Sequence, residues 1–325
     1  MHILTHDRFG EPDEVLHLAE AAVPEPSDGQ VRIRVMLSPV HNHDIWTIRG
    51  KYGFVPDLPA PAGTEVLGTV DAVGPGVTGL DVGQRIVSGS SFGTWSEYAI
   101  VDAAEALPVP DQLPDNSAAQ LVSMPFSAIS LLDFLGLREG DWLIQNSANG
   151  AVGRILAQLA QARGIHVIGL VRRDAAVAEL ASEGIDHVLC TEDPDWRERL
   201  DDITGGALIL TGLDSVGGQS TADIVSTLGE GATLVCFGAM GSPVMSIPSG
   251  PVIFKDITVR GFWGSKVSKE MNPQKKNDLF AELITRISEG TVTLPVAGVF
   301  DVADFREAML AGKSSARAGK VLLRF

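Results

Sequence analysis

The stretch "WLIQNSANGAVGRILAQLAQARG", residues 142–164, opens with an apolar run, passes through a glycine turn and continues as a periodic segment. Apolar residues recur at helical spacing from Val152 to Leu159, which predicts a helix with one apolar stripe. Gly164 is the expected C-terminal stop of that helix. A strand that enters a helix through a short glycine turn is typical of a parallel, doubly wound sheet.

The turn itself has the spacing of a dinucleotide-binding loop. Gly150 and Gly153 are three residues apart, as are the second and third glycines of that fingerprint, while Ala148 or Ser147 replaces the first. Gly150 would let the backbone approach a pyrophosphate, and Gly153 would let the helix pack closely on the strand. The strand before and the helix after supply the context that the motif needs. The predicted cofactor contacts in this turn are Asn149, Gly150, Ala151, Val152 and Gly153.

The end of the next predicted strand, "VIGLVRRD" at residues 167–174, indicates which dinucleotide binds. A cofactor without a 2′-phosphate favours Asp or Glu about 20 residues beyond the turn. Arg172 and Arg173 stand there instead, and guanidinium groups bind phosphate dianions in bidentate geometry. The sequence therefore predicts NADPH, with Asp174 as the cap of the following helix. The alternative is that the two arginines only solvate the start of a helix. Further cofactor contacts are predicted at Phe237, Gly238, Phe262 and Trp263.

The pattern along the chain changes twice. Residues 1–115 consist of short β-like runs separated by Gly and Pro, whereas residues 116–263 alternate between strand and helix. Residues 264–325 return to mixed structure and end in the β-like run "GKVLLRF". We therefore predict an α/β protein in which a doubly wound parallel-sheet domain, 116–263, is inserted into a β-rich domain formed by 1–115 and 264–325. The C-terminal run is expected to fold back onto the first domain.

Composition restricts the partners and the compartment. The formal net charge is −16, which disfavours binding to nucleic acid or to an anionic membrane. No stretch approaches the roughly 20 apolar residues that cross a bilayer, and the N-terminus lacks a secretory signal pattern. Cys190 and Cys236 lie in apolar runs, so we expect buried thiols in a reducing compartment. A cytoplasmic protein without nucleic-acid or membrane partners is expected.

The segment "RGKYGFVPDLP", residues 49–59, contains Tyr52, one of only two tyrosines. Gly and Pro on both sides predict a surface or cleft-lining loop. A phenol with a reference pKa of about 10 is protonated at neutral pH and can supply a proton to an enolate. An aromatic residue on such a loop can also merely pack on a cleft wall. The residues alone leave these two interpretations open.

A cluster of His41, His43, Asp44 and Glu65 suggests a metal site. A catalytic zinc takes three protein ligands, yet no cysteine lies near and no third histidine is obviously placed. Two histidines two positions apart share a face on a strand and need not converge on a loop. We therefore predict no metal, and expect Asp44 and Glu65 to bond backbone and side chains across the cleft.

Several stretches together resemble the medium-chain dehydrogenase/reductase superfamily over nearly the whole chain. The resemblance points to its zinc-independent branch, mitochondrial-type 2-enoyl thioester reductases and quinone reductases, and it implies a GroES-like catalytic domain with an inserted Rossmann domain. The run "IFKDITVRGFW" is the most distinctive of these stretches. The others are "RGKYGFVPDLP", "GTWSEYAIV", "WLIQNSANGAVG", "LVRRD" and "DSVGG".

The resemblance also implies roles for individual residues. In the enoyl reductase group the tyrosine matching Tyr52 is the proposed proton donor, and the arginine matching Arg172 faces the 2′-phosphate. The zinc-dependent alcohol dehydrogenases match poorly, because their ligand cysteine corresponds to His41 and their ligand histidine to Thr64. This chain departs from the group at residues 41–44, His-Asn-His-Asp in place of Asn-Pro-Ser-Asp, and at residues 63–66, Gly-Thr-Glu-Val in place of Gly-Asn-Glu-Gly.

The activity expected from these features is NADPH-dependent hydride transfer to an electron-poor C=C bond conjugated to a carbonyl, as in a 2-enoyl thioester. The alternatives are an NADPH:quinone or alkenal oxidoreductase on the same scaffold, and a non-catalytic NADPH-binding protein. A homodimer that pairs through "ITVRGFW" is expected. The residues predicted to line the substrate pocket are Asn42, Trp46, Phe54 and Trp263.

Overall fold

The chain divides into two units in the computed structural model, which describes residues 1–89, 91–314 and 319–325. Unit 1 comprises Met1–Ser123 and Thr293–Phe325, and unit 2 comprises Met124–Val292. The helices and strands are numbered along the chain.

Unit 2 is built on one parallel sheet in the strand order β11-β10-β9-β12-β13-β14. Counted from its own first strand, this is the order 3-2-1-4-5-6 of a doubly wound dinucleotide fold. The strands are β9 Trp142–Gln145, β10 His166–Val171, β11 Val188–Cys190, β12 Thr211–Asp214, β13 Thr233–Cys236 and β14 Thr258–Gly261. The helices are α4 Met124–Leu135, α5 Ala151–Ala162, α6 Asp174–Ser182, α7 Trp196–Thr204, α8 Gln219–Thr227, α9 Ser249–Phe254, α10 Gly264–Glu270 and α11 Pro273–Ser288.

Unit 1 is centred on a long antiparallel strand, β3, which pairs with β5, β7 and β16. The pairing of β16 with β3 confirms that the C-terminal run returns to the first part of the chain. The strands are β1 His2–His6, β2 His17–Glu20, β3 Gln30–Pro39, β4 Ala60–Pro61, β5 Val66–Val73, β6 Arg85–Ser88, β7 Tyr98–Asp102, β8 Leu107–Pro108, β15 Val296–Asp301 and β16 Lys320–Arg324. The helices are α1 Pro12–Val15, α2 Asn42–Ile48, α3 Asp115–Ala118 and α12 Phe305–Lys313, with 3-10 turns at Ala103–Glu105 and Val302–Asp304.

The boundaries of the two units lie beyond the predicted ones at 115 and 263. The chain leaves unit 1 after Ser123 and returns to it at Thr293. Helices α10 and α11 remain in unit 2 because they pack on α4, where the ring of Phe280 stacks on that of Phe126 at 4.2 Å. The mixed strand-and-helix pattern after residue 263 therefore conceals two helices that belong to the parallel-sheet unit.

Helices α5 and α6, which flank β10, show whether the predicted helix ends are correct. The predicted end of α5 is confirmed, because Gly164 takes the left-handed conformation directly after Arg163, with φ of +70°. The predicted cap at Asp174 is wrong: Arg173 is the extended residue before α6, and Asp174 is the first helical residue. A carboxylate at that position still interacts favourably with the positive end of the helix dipole.

The two cysteines lie in strands, as predicted, and neither forms a disulfide. The predicted burial is confirmed for Cys190 at the end of β11 and is wrong for Cys236, which is half-buried at the end of β13. Within the described residues no helix is both long and apolar enough to span a membrane. The cytoplasmic location stays a prediction.

Candidate active site

The glycine turn between β9 and α5 depends on close backbone approaches. A Cβ atom on Gly153 would lie 2.8 Å from the carbonyl oxygen of Ser147 and 3.0 Å from that of Ala148, closer than real Cβ contacts. Gly150 is the residue before α5 and stands near the same carbonyl. Ser147, one of the two residues that stand in place of the fingerprint's first glycine, has a positive φ of 51° and so adopts the left-handed conformation. Only a residue without a side chain fits at Gly153.

The N-terminus of α5 is arranged to receive an anion. The first turn of a helix carries N–H groups without intrahelical partners, and this one contains no acidic residue. Arg154 does not contribute its charge to this site, because its guanidinium contacts Glu183 and Glu179 and donates to the carbonyl of Asn149 at 2.9 Å. The buried arginine holds the turn against α6. Sequence reasoning missed this role, since nothing in the motif separates a structural arginine from a phosphate ligand.

The carboxyl ends of β9 and β12 meet where the strand order reverses, which is where doubly wound sheets bind their ligands. Asn146 joins these two ends: its amide donates to Asp214 at 2.6 Å and accepts from the backbone N–H of Ser215 at 2.9 Å. Buried Asp214 also accepts from the N–H groups of Val216 and Gly217. The sequence "DSVGG" therefore forms a loop fixed by its own aspartate, a residue that the sequence analysis did not select.

The predicted phosphate-binding arginines form the connection between β10 and α6. Arg172 and Arg173 are both exposed. Within the part of the chain that the structure describes, neither guanidinium makes an ion pair or a hydrogen bond. The carbonyl of Arg172 accepts from the thiol of Cys190 at 3.2 Å, so the backbone is held while the side chain is available. Two positive charges thus stand at the carboxyl end of the strand beside β9.

The four later cofactor candidates lie after β13 and β14. Phe237 is half-buried and its N–H donates to the carbonyl of Asp214, while a Cβ on Gly238 would lie 2.9 Å from the carbonyl oxygen of Ser215. Phe262 is buried with its ring edge-on to Phe134 at 5.3 Å, so this ring is a core side chain. Trp263 precedes α10 and is 66% exposed. Roles of these residues toward a cofactor remain predictions.

In unit 1, the side chains of His41 and Glu65 form a buried pair. The Nε2 atom of His41 lies 2.6 Å from Glu65 Oε2, and both side chains are 0% exposed. The other carboxylate oxygen accepts from the N–H groups of Val122 and Ser123 at 2.6 and 3.0 Å. Burial raises the pKa of Glu65 from its ordinary value of 4.5 to about 7, although these hydrogen bonds oppose the shift. The expected bonds of Glu65 to backbone and side chains are confirmed.

The turn that carries Thr64 and Glu65 requires Gly63. This glycine has a φ of +89°, and a Cβ on it would lie 2.3 Å from the indole of Trp95. Trp95 is completely buried and donates from Nε1 to the carbonyl of Pro39 at 3.3 Å. The indole and the glycine together direct the next two residues toward α2.

A second hydrogen-bonded set links α2 to the same turn. His43 Nε2 lies 2.7 Å from Thr64 Oγ1, and this hydroxyl donates to Asp44 Oδ1 at 2.8 Å. The other oxygen of Asp44 accepts from the backbone N–H of His41 at 2.9 Å, which fixes the start of α2. The expected bonding role of Asp44 is therefore confirmed as well.

Tyr52 lies beside this set. Its ring centroid is 5.9 Å from that of His43, and the His43 ring in turn stacks on His41 at 4.8 Å. The loop around Tyr52 contains no helix or strand, as predicted, and the side chain is 42% exposed. Burial, and then the charge of Asp44, raise the pKa of the Tyr52 phenol. The phenol is therefore protonated throughout the neutral range.

The predicted substrate residues of unit 1 surround α2 and the following loop. Asn42 begins α2 and is half-buried, and the exposed ring of Trp46 lies under the guanidinium of Arg49 at 5.2 Å. Phe54 is exposed and contacts Phe92 with ring centroids 4.8 Å apart. Sequence analysis missed Phe92, whose partner is 38 positions away. The fourth candidate, Trp263, belongs to unit 2.

The described residues contain no group of three or more His, Cys, Asp or Glu that could hold a metal ion. Thr64 stands between His43 and Asp44 as a hydrogen-bonding residue, and Glu65 is engaged by His41. The cluster that first suggested a metal site is thus built as hydrogen-bonded pairs.

Comparisons with known proteins identify the family. Residues 27–111 match the family model "Alcohol dehydrogenase GroES-like domain", and residues 151–282 match "Zinc-binding dehydrogenase". The mitochondrial enoyl-[acyl-carrier-protein] reductase of Homo sapiens is 32% identical over 98% of this chain and 87% of its own length. The fold matches a putative NADPH:quinone reductase from Bacillus thuringiensis with a TM-score of 0.91 and 26% identity, over 100% of this chain and 98% of that one. It also matches a mycobacterial protein complexed with NADPH, with a TM-score of 0.88 and 28% identity over 100% of both chains. The chain therefore belongs to the medium-chain dehydrogenase/reductase superfamily of oxidoreductases.

Proposed function

We propose that this protein is an NADPH-dependent reductase of electron-poor C=C bonds conjugated to a carbonyl, with 2-enoyl thioesters as its substrate class. The observation that carries the proposal is the exposed pair Arg172 and Arg173 at the carboxyl end of β10. Their guanidinium groups suit a 2′-phosphate, and Gly153 lets the N-terminus of α5 pack closely on the turn that would hold a pyrophosphate. The name of the human relative, an enoyl reductase, and the NADPH in the mycobacterial structure support this proposal.

The chemistry divides between the cofactor and the protein. Bound NADPH supplies a hydride to the β-carbon of the substrate. Tyr52 then supplies the proton that the α-carbon needs, because its phenol is protonated at neutral pH and lies on an accessible loop. Gly150, Gly153 and the N-terminus of α5 hold the phosphates, and the arginines select the phosphorylated ribose.

A second acceptor class, quinones, is favoured by one observation: the fold matches that of a putative NADPH:quinone reductase from Bacillus thuringiensis. Alkenals are the third candidate acceptor. Side-by-side turnover of crotonyl-CoA, a 2-alkenal and a benzoquinone with NADPH tests the proposal. We expect the highest kcat/KM with the thioester, and a preference for the quinone would overturn the substrate assignment. Absence of NADPH oxidation with all three would overturn the reductase itself.

Catalysis is proposed to proceed without zinc. The hydrogen bonds of His41, His43, Thr64 and Asp44 to one another and to Glu65 support this, because each side chain already serves as a donor or acceptor. Metal analysis of the purified, active protein is the direct test. Stoichiometric zinc whose removal abolishes turnover would contradict the proposal.

We also propose a homodimer that forms through β14. This strand lies at the edge of the unit 2 sheet and all four of its residues are exposed, so its free edge can pair with a second copy. Light scattering after size-exclusion chromatography should give twice the monomer mass. Val259→Asp, which places a charge on this strand, should shift the protein toward monomer.

A further inference from the structure

His43 contacts Tyr52 and also reaches solvent. Its ring stacks on that of His41 at 4.8 Å with an interplanar angle of 18°, and it meets the ring of Tyr52 at 5.9 Å and 33°. The side chain is 21% exposed, whereas that of His41 is completely buried. An imidazole that is partly open to solvent therefore lies beside the phenol that the proposed reaction uses.

The hydrogen bonds of His43 determine its tautomer. A threonine hydroxyl has one proton, and Thr64 donates that proton to Asp44 at 2.8 Å. Thr64 Oγ1 can then only accept from His43 Nε2, which lies 2.7 Å away, so Nε2 carries the hydrogen. In the neutral imidazole, Nδ1 is consequently the ring nitrogen without a hydrogen. This is the arrangement of a base oriented by a third group.

The surroundings of Tyr52 disfavour a phenolate, and His43 is placed to stabilise one. Loss of the phenol proton creates a phenolate, which burial and the negative charge of Asp44 disfavour. The titratable groups around the His43 ring are His41, Asp44 and Tyr52, and Glu65 is hydrogen-bonded to His41. Of these, the half-exposed phenol is the one that the proposed reaction deprotonates. An imidazolium beside it would offset the negative charge and return a proton.

We propose that His43 is a positioning residue that supplies protons to Tyr52; this inference rests on the proposed function. As the α-carbon–hydrogen bond forms, the O–H bond of Tyr52 breaks. The Nδ1–H bond of protonated His43 then breaks as the phenol O–H bond forms again. Solvent returns a proton to Nδ1, and the two electrons of the reduction come from the hydride of NADPH. Thr64 and Asp44 hold the ring in the tautomer that this sequence of steps requires.

A double-mutant cycle tests whether His43 acts through Tyr52. Turnover of crotonyl-CoA with NADPH is measured from pH 5.5 to 8.5 for Tyr52→Phe, His43→Gln and the double variant. His43→Gln should lower kcat by about 10²-fold, a loss typical of general acid–base groups, while KM for NADPH stays unchanged. Wild-type kcat should decrease as the pH rises, and this decrease should be smaller in His43→Gln. The double variant should be no slower than Tyr52→Phe, and additive losses would overturn the inference.

Two controls separate this role from a structural one. His17→Gln makes the same substitution on β2, where the side chain is exposed near Asp7, and it should leave the pH profile unchanged. Nitrogen-15 NMR determines the tautomer independently of turnover. The His43 signals are identified by their loss in His43→Gln, and they should show the hydrogen on Nε2. In Thr64→Val, the same signals should show a mixture of the two tautomers. An Nδ1–H tautomer in the wild type overturns the inference. A wild type that reduces no alkene overturns the proposed function and the relay together, whatever the tautomer.

Discussion

The glycine turn of unit 2 and the histidine cluster of unit 1 are constructed in opposite ways. The turn at residues 146–153 presents backbone N–H groups, and its requirements are the absence of a side chain at Gly153 and the dipole of α5. The cluster is made of ionisable side chains, His41, His43 and Glu65, two of them completely buried. One region binds through geometry that many sequences can provide, whereas the other depends on particular groups and their protons.

The two regions are therefore sensitive to different kinds of substitution. A backbone cradle fails when atoms are added to it, and its failure should appear in cofactor affinity. A cluster of titratable groups fails when a proton or a charge is removed, and its failure should appear in turnover and in pH dependence.

Tyr52→Phe should produce the largest change. Removing the phenol hydroxyl removes the proposed proton donor, so kcat should fall by about 10²–10⁴-fold while the Kd for NADPH stays unchanged. Steady-state kinetics and cofactor fluorescence titration measure the two quantities. The chain offers a matched control in its second tyrosine, Tyr98, because Tyr98→Phe should leave kcat unchanged. Equal kcat values for Tyr52→Phe and wild type would remove Tyr52 from the mechanism.

Glu65→Gln should change how stability depends on pH. The pKa of Glu65 is about 7 in the folded protein against 4.5 ordinarily, so the folded state holds this proton more tightly. The resulting stabilisation is complete below pH 4.5 and is lost as the pH rises to 7, at most about 3 kcal/mol for a shift of this size. Relative to the wild type, the variant should therefore gain stability between pH 4.5 and 7.5.

The midpoint of urea unfolding, measured at both ends of that range, gives the comparison for Glu65→Gln. The glutamine keeps an oxygen for the N–H groups of Val122 and Ser123, so the fold should persist. Glu20→Gln, on an exposed position of β2, is the control, and its stability should depend on pH as that of the wild type does. If the stability of Glu65→Gln depended on pH as that of the wild type does, the buried pair would carry no titrating proton.

The same contrast explains what the sequence could predict. Spacing along the chain is enough to find Gly150, Gly153 and the strand and helix on either side of them, because adjacent residues form the turn. Hydrogen bonds between Asn146 and Asp214, 68 positions apart, or between His41 and Glu65, leave no local pattern. Likewise, the cap of α6 depends on one residue's backbone angles, and the domain boundary depends on α11 packing on α4. The long-range hydrogen bonds and the domain boundary come from tertiary contacts, which periodicity does not report.

Gly153→Ala should weaken the backbone cradle. The new methyl group would lie 2.8 Å from the carbonyl oxygen of Ser147, and relieving such overpacking costs about 1–3 kcal/mol. Because the displaced turn is the proposed phosphate site, the Kd for NADPH should rise while the pH profile of turnover stays unchanged. Gly250→Ala in α9 is the control, since nothing lies within 4 Å of its Cβ position, and it should bind NADPH normally. Normal affinity in Gly153→Ala would show that the turn does not hold the cofactor.

Arg172→Ala and Arg173→Ala should have the smallest effects, because exposed guanidinium groups bind phosphate from a well-hydrated position. Each substitution should raise KM for NADPH by about tenfold, equivalent to about 1.4 kcal/mol, and leave KM for NADH unchanged. Arg138→Ala, on the exposed connection between α4 and β9, should change neither value. If NADPH and NADH were affected equally, the two arginines would only solvate the start of α6. Selective loss of NADPH affinity would instead place unit 2's specificity in side chains, while Gly153 and the α5 N-terminus bind both dinucleotides alike.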